Sequence, residues 1–296
     1  MLAVVGTVPD EGFPLVAGPI TVDDRHLTVQ GQKTPITRGT AALLAAAASC
    51  LEVLGRPTPF AFLVGDIGLG QGSERLYEYL TLNLGQYQFS AIAFHYILPI
   101  VDLHNRVLFA VQDLAPRPRL IADAGYMYVA KMSGQAPEYD LFTPDAGELA
   151  FLADEEAPHP FYTRGFILHQ DNQVPELIAR AYAHENAAQH LLVKGPKDYV
   201  AAKEGIMAVI AEPGIAALEP IGGTGDTLTG IVSALVAAGY DIVPGAILAA
   251  RVNRMAGYLA QPTPATRLEE MVRHIPAALK LILEEQPGQE GKSAKI

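Results

Sequence analysis

Residues 222–226 read Gly-Gly-Thr-Gly-Asp and open a long apolar stretch. Glycines give the chain a tight turn, and the stretch from Thr227 to Ala238 has helical periodicity before Gly239 stops it. A helix entered this way presents unpaired N–H groups and a positive dipole end, which suits an anion such as phosphate. Gly222, Gly223, Thr224 and Gly225 would supply that anion hole. Asp226 places a carboxylate in the first turn, where a second negative charge beside phosphate is unfavourable unless it has a task. Taking a proton from an attacking hydroxyl is such a task. The plain alternative is a glycine loop with an ordinary first-turn Asp.

Other groups stand at the ends of apolar runs. Asp66, Gly68 and Gly70 form a turn after Phe60–Gly65, read as a substrate-lining loop or a tight strand-to-helix turn. Asp123 follows 119–122, as a site carboxylate or a helix N-cap. Asp145 and Glu148 sit three apart at a helix start and could hold Mg²⁺ through water, or simply complement the helix dipole. Lys194 ends another strand, and either meets nucleotide phosphates or is solvated. His95 reads as a structural or cleft-wall residue, and His104 as a helix-surface residue. Tyr126, Tyr128, Lys131 and Met132 fit a pocket lining or a core stripe equally.

The elements that must position these groups alternate. Strands are expected near 60–66, 89–94, 119–123, 139–143, 190–195, 199–203 and 206–210. Helices are expected near 74–80, 101–114, 145–153, 175–188, 225–238, 244–260 and 267–284. This alternation predicts a three-layer, doubly wound α/β fold, with a mostly parallel central sheet and helices on both faces. Ligands in such folds lie beyond the carboxyl ends of the strands, where Asp66, Asp123, Asp145 and Lys194 all fall. One domain over 1–285 is expected, with an irregular connection at 155–160 and a disordered tail at 286–296.

Composition narrows the function. A net charge of −11 without a basic block excludes nucleic-acid binding as the main role. The start lacks the basic region of a signal peptide, and the apolar run 41–53 is too short to span a bilayer. The single cysteine, Cys50, lies in an alanine-rich helical stretch and fits a buried thiol in a reducing cytoplasm. No His/Cys cluster has metal-ligand spacing, and the absence of Trp argues against a large carbohydrate-stacking surface. A small-molecule substrate remains. The oligomeric state is open.

The order of motifs is specific: Val64-Gly65-Asp66-Ile67-Gly68-Leu69-Gly70, Asp123, Thr143-Pro144-Asp145-Ala146-Gly147-Glu148, Val193-Lys194-Gly195, then the Gly-Gly-Thr-Gly-Asp turn. From about residue 37 to 262 the chain resembles the ribokinase-like superfamily. Its nearest branch is the ATP- or ADP-dependent NAD(P)H-hydrate dehydratases. The resemblance implies Asp226 as base, an amide anion hole, ATP or ADP with Mg²⁺, and adenine near Asn253, Met255 and Gly257. Two features depart from the dehydratases: Asp145 stands where they usually carry His, and 213–221 is longer than their usual link. Asp145 to Glu148 instead fits the kinases' Asn-x-x-Glu pattern, with Asp for Asn. Residues 1–36 resemble neither branch.

The first expectation is therefore an ATP-dependent kinase acting on a hydroxyl of a small metabolite, sugar-like or other. The second is NAD(P)H-hydrate dehydratase, which shares the phosphorylation step and then eliminates the ester. The third is a nucleotide-binding module without turnover, which gives Asp226 no purpose.

Overall fold

The computed structural model describes residues 1–155, 173–263 and 265–285. Its centre is a strand that the sequence reading left unassigned. β1 (Leu2–Val8) is buried along its whole length and pairs in parallel with β5 (Phe60–Gly65) on one side and β6 (Ala91–His95) on the other. A strand covered on both faces has no polar alternation to announce it. β7 (Arg119–Ala122), β8 (Leu141–Phe142) and β9 (His190–Val193) continue the parallel run.

Antiparallel strands extend both ends. β10 (Asp198–Ala202) and β11 (Gly205–Ile210) follow β9. On the far side β2 (Val16–Val22) pairs with β5, then with β3 (His26–Val29), which pairs with β4 (Gln32–Pro35). All eleven strands fall in the order β11-β10-β9-β8-β7-β6-β1-β5-β2-β3-β4. The α/β fold is as expected, but the sheet is mixed, with its parallel strands in the middle.

Period-two alternation along β1 divides the core. Leu2 and Val4 pack with α1 (Gly39–Val53), α7 (Thr224–Ala237), α8 (Ile242–Leu259), α9 (Leu268–Val272) and α10 (Ile275–Glu284). Ala3 and Val5 face α2 (Gln71–Asn83), α3 (Val101–Gln112), α4 (Gly125–Met132), α5 (Ala146–Ala153) and α6 (Val174–Ala183). The single helix expected at 267–284 is two, because Pro276 at the start of α10 cannot supply the N–H that would continue α9. The expected irregular connection lies mostly, and the tail wholly, outside the described residues.

α1 and α7 approach almost backbone to backbone. A Cβ on Gly230 would lie 2.2 Å from the Leu43 carbonyl oxygen. The alanines of α1, including Ala42 and Ala46, have no long side chain to hold α7 away. Cys50 is buried, as expected.

One reading is corrected, and one that was left open is settled. His104 is fully buried, with Nε2 2.7 Å from the Tyr139 hydroxyl. Tyr126 is core, stacked on Phe94 at 4.2 Å, and does not line a pocket. A buried imidazole beside aromatic rings resists charging. Burial lowers the His104 pKa to about 4, with Asn105 opposing weakly. The unfolded chain binds this proton near pH 6.5, so the stabilisation is complete above that pH. It is lost as pH falls from about 6.5 towards 4, for a total of about 3 kcal/mol. Urea midpoints across this window should fall in the native protein and flatten in His104→Gln. Parallel curves would show that His104 does not carry this dependence.

Candidate functional site

The parallel strands end together, and their carboxyl ends carry the chemistry. Asp66 follows β5, His95 closes β6, Asp123 follows β7, Asp145 follows β8 and Lys194 follows β9. β8 and β9 are short, and the Asp145–Lys194 bridge extends their pairing to the site. Against this edge α7 presents its first turn.

Asp226 lies at the meeting of two helix starts. Its Oδ2 accepts the Gly39 N–H of α1 at 2.6 Å, and its Oδ1 lies 3.1 Å from His95 Nε2. Gly223 permits the approach. Its φ is +96°, and a Cβ there would meet Leu268 Cδ2 at 2.5 Å and Arg38 Cα at 3.1 Å. The N–H groups of Thr224, Gly225 and Asp226 have no acceptor within α7 and form its positive end. Asn253 braces this turn: its Nδ2 donates to the Thr224 carbonyl, and its Oδ1 accepts from the Thr227 hydroxyl at 2.7 Å. Gly257, one turn further along α8, is covered by Leu218, whose Cδ1 would lie 2.4 Å from a Cβ there.

Behind Asp226 stands a second charged pair. Asp123 is 1% exposed, and both its oxygens accept from Lys194 Nζ, at 2.8 and 2.9 Å. Thr229 Oγ1 donates to the same carboxylate at 2.6 Å, and the Ala124 N–H adds 2.8 Å. Asp123 is thus held by Lys194 and Thr229 at the strand end, and no side chain caps α4. Nor is Lys194 solvated, because it packs beside Gly225 and the buried Asp123. His95 joins the two pairs, with Nε2 3.8 Å from Asp123 Oδ2. Its Nδ1 faces Thr40 Oγ1 at 3.1 Å, and Thr40 donates to the Thr7 carbonyl.

Burial would raise the Asp226 pKa, but the His95 hydrogen bond and charge, Lys194 and the Gly39 N–H outweigh it. The net direction is downward, so Asp226 is a carboxylate at neutral pH. Lys194 shows the converse. Burial disfavours its charge, yet Asp123 and Glu148 hold its pKa above the ordinary lysine value.

His95, Asp123 and Asp226 bring ligand atoms within 4.8 Å of one another. A divalent ion there would have to displace the buried ammonium that already neutralises Asp123. Asp145 and Glu148 form a capping box on α5. Glu148 N donates to Asp145 Oδ1 at 2.7 Å, and Asp145 N to Glu148 Oε2 at 2.8 Å. The other oxygen of each has no hydrogen bond among the described residues. Desolvation first, then the Asp145 and Asp123 charges, push the Glu148 carboxyl up against the pull of Lys194.

The loop at Asp66 is self-contained. Asp66 Oδ1 accepts the Gly68, Leu69 and Gly70 N–H groups, and Oδ2 accepts both the N–H and the hydroxyl of Ser73. These groups build the turn, and the Gly68 and Gly70 amides are spent within it. The structure adds Gly39, Thr40, His95 and Thr229 to the site. A hint existed for Thr229, a polar residue one turn after Asp226 on an apolar helix.

Lys194→Met would leave Asp123 charged, buried and unpaired, so stability should drop by about 3–5 kcal/mol. Adding Asp123→Asn removes that charge and should recover part of the loss. Urea unfolding of both variants tests the pair. A single variant within 1 kcal/mol of native, an order-of-magnitude bound for a surface pair, would show the pair is solvated.

A family model described as NAD(P)H-hydrate dehydratase matches residues 103–276. An uncharacterized protein of Methanocaldococcus jannaschii is 39% identical over 239 residues, covering 80% of this chain and 98% of that protein. The ADP-dependent (S)-NAD(P)H-hydrate dehydratase of Cenarchaeum symbiosum is 29% identical over 147 residues, covering 48% of this chain and 45% of that protein. The ADP/ATP-dependent NAD(P)H-hydrate dehydratase of Bacillus subtilis, co-crystallized with ATP/Mg²⁺, shares the fold. It has a TM-score of 0.56 at 17% identity, covering 95% of this chain and 89% of that one. Membership therefore rests on sequence matched over more than half the chain, on a long relative and on a common fold, and the chain belongs to the NAD(P)H-hydrate dehydratase family, an enzyme family of ribokinase-like fold.

Proposed function

We propose that the protein is an ATP- or ADP-dependent NAD(P)H-hydrate dehydratase. The preference drawn from sequence, with a small-molecule kinase first, is reversed. The family match over 103–276 favours the dehydratase, and nothing in the site selects a sugar. The observation that carries the chemistry is Asp226: an ionised carboxylate beside the open amide end of α7, held by Gly39 and His95.

The nucleotide's terminal phosphoryl lies against the Gly223, Thr224 and Gly225 amides, whose fixed dipoles offset its charge without reorganising. Asp226 accepts the proton of the substrate hydroxyl as that oxygen attacks the terminal phosphorus and the nucleotide, one phosphate shorter, leaves with the broken P–O bonding pair. Asn253 keeps the turn in shape, and Lys194 holds Asp123 beside it. The unengaged oxygens of Asp145 and Glu148 fit a water-mediated hold on Mg²⁺, which would neutralise phosphate charge when bound. Phosphate then leaves the ester by elimination, the neighbouring carbon loses a proton, and the dihydronicotinamide ring is restored.

Incubating the protein with hydrated NADH and ATP, or ADP, should restore NADH absorbance with release of phosphate. A stable phosphoester without NADH would instead indicate kinase chemistry. Asp226→Asn should lower kcat by about 10²–10⁴-fold while nucleotide Kd holds or tightens. The fold accommodates the change. Asn Oδ1 can accept from Gly39, and Nδ2 can donate to His95 if that ring carries its proton on Nδ1, facing Thr40. An unchanged kcat would exclude Asp226 as the base.

A further inference from the structure

Tyr96 follows His95 with φ of +50°, a left-handed conformation that a bulky side chain rarely adopts. Such strain persists only where the surroundings impose it. Here β6 ends on the buried His95, the chain re-enters the core at Ile97, and the Tyr96 carbonyl accepts the Thr7 hydroxyl at 2.5 Å. The result turns an aromatic ring outward at the site. The ring stands edge-on to His95, with centroids 4.3 Å apart and planes at 79°. It also borders Gly39, whose N–H holds Asp226. Yet Tyr96 is 51% exposed. An aromatic surface held in a strained conformation beside the reacting carboxylate, and left uncovered, is shaped for a ligand. Partial burial against His95 and Gly39 first, then the charges of Asp226, Glu148 and Asp123, raise the phenol pKa, so the ring presents no charge of its own.

We propose that Tyr96 is the stacking platform for the substrate's nicotinamide-derived ring and stabilises the cation formed when phosphate leaves. The inference rests on the dehydratase reading. In the elimination, the ring nitrogen's lone pair forms a C=N bond as the adjacent C–O bond breaks. Phosphate departs with the C–O bonding pair, leaving one positive charge on the ring. The neighbouring carbon then gives its proton to the released phosphate, and the dihydropyridine is restored. A flat aromatic face attracts that transient cation more than the neutral ester. Its benefit is therefore greatest in the transition state of charge separation, where it lowers the barrier to that step.

Three variants test this. Tyr96→Gly removes the ring and suits the backbone at positive φ, so it should fold, as melting curves would verify. With hydrated NADH and ATP it should lose about 10–100-fold in kcat/KM, with kcat falling as well as KM rising. Tyr96→Phe keeps the ring face and should retain activity within about threefold. The chain has no Trp, so Tyr96→Trp carries one fluorophore. Hydrated NADH should quench it saturably, whereas D-ribose should not. Full kcat/KM in Tyr96→Gly, or no quenching of Tyr96→Trp by hydrated NADH, overturns the platform. Absence of turnover by the native protein overturns the dehydratase reading alone, because the quenching reports stacking without turnover.

Discussion

The close packing of α1 on α7 is the constraint on which the site depends. Both helices begin at the carboxyl edge of the sheet, and their axes approach until Gly230 lies against the Leu43 carbonyl. Only at that separation does the first amide of α1 reach the carboxylate in the first turn of α7. Two positive helix ends then converge on one buried Asp226, and their dipoles favour its ionised form. A glycine inside a helix costs about 0.8–1.0 kcal/mol relative to alanine. The geometry gained at Asp226 offsets that cost.

Charge balance is the second constraint. Asp123 and Asp226 are both buried, and such groups need partners. Lys194 and His95 supply them from the neighbouring strand ends. Hydrogen bonds fix these charges in place, so the field at the glycine turn is set by the fold. This is what a phosphoryl-transfer site requires, since its catalysis is mostly positioning and electrostatics.

Much of this was legible in the sequence, and what was missed has a common cause. The Gly-Gly-Thr-Gly-Asp turn is local, so its residue types announce their conformation. Most of the expected strands and helices formed within a few residues of their limits. His95 and Gly39 lie 131 and 187 residues before Asp226, and no spacing rule joins them. Thr229 reaches across 106 residues to Asp123. β1 escaped because a doubly covered strand lacks alternation, and its loss hid the centre of the sheet. His104 was misplaced because its partner, Tyr139, lies 35 residues on, just before β8.

The position of β1 also shapes how the chain matures. The central strand is made before both of its neighbours, residues 60–65 and 91–95. At translation rates of roughly 5–20 residues per second, β1 waits on the order of ten seconds for its second partner. Through that interval an apolar segment has at least one bare edge, open to pairing with another chain. The half-made protein is thus open to aggregation at this strand, and anything that shields residues 2–8 during synthesis should raise the yield of folded enzyme.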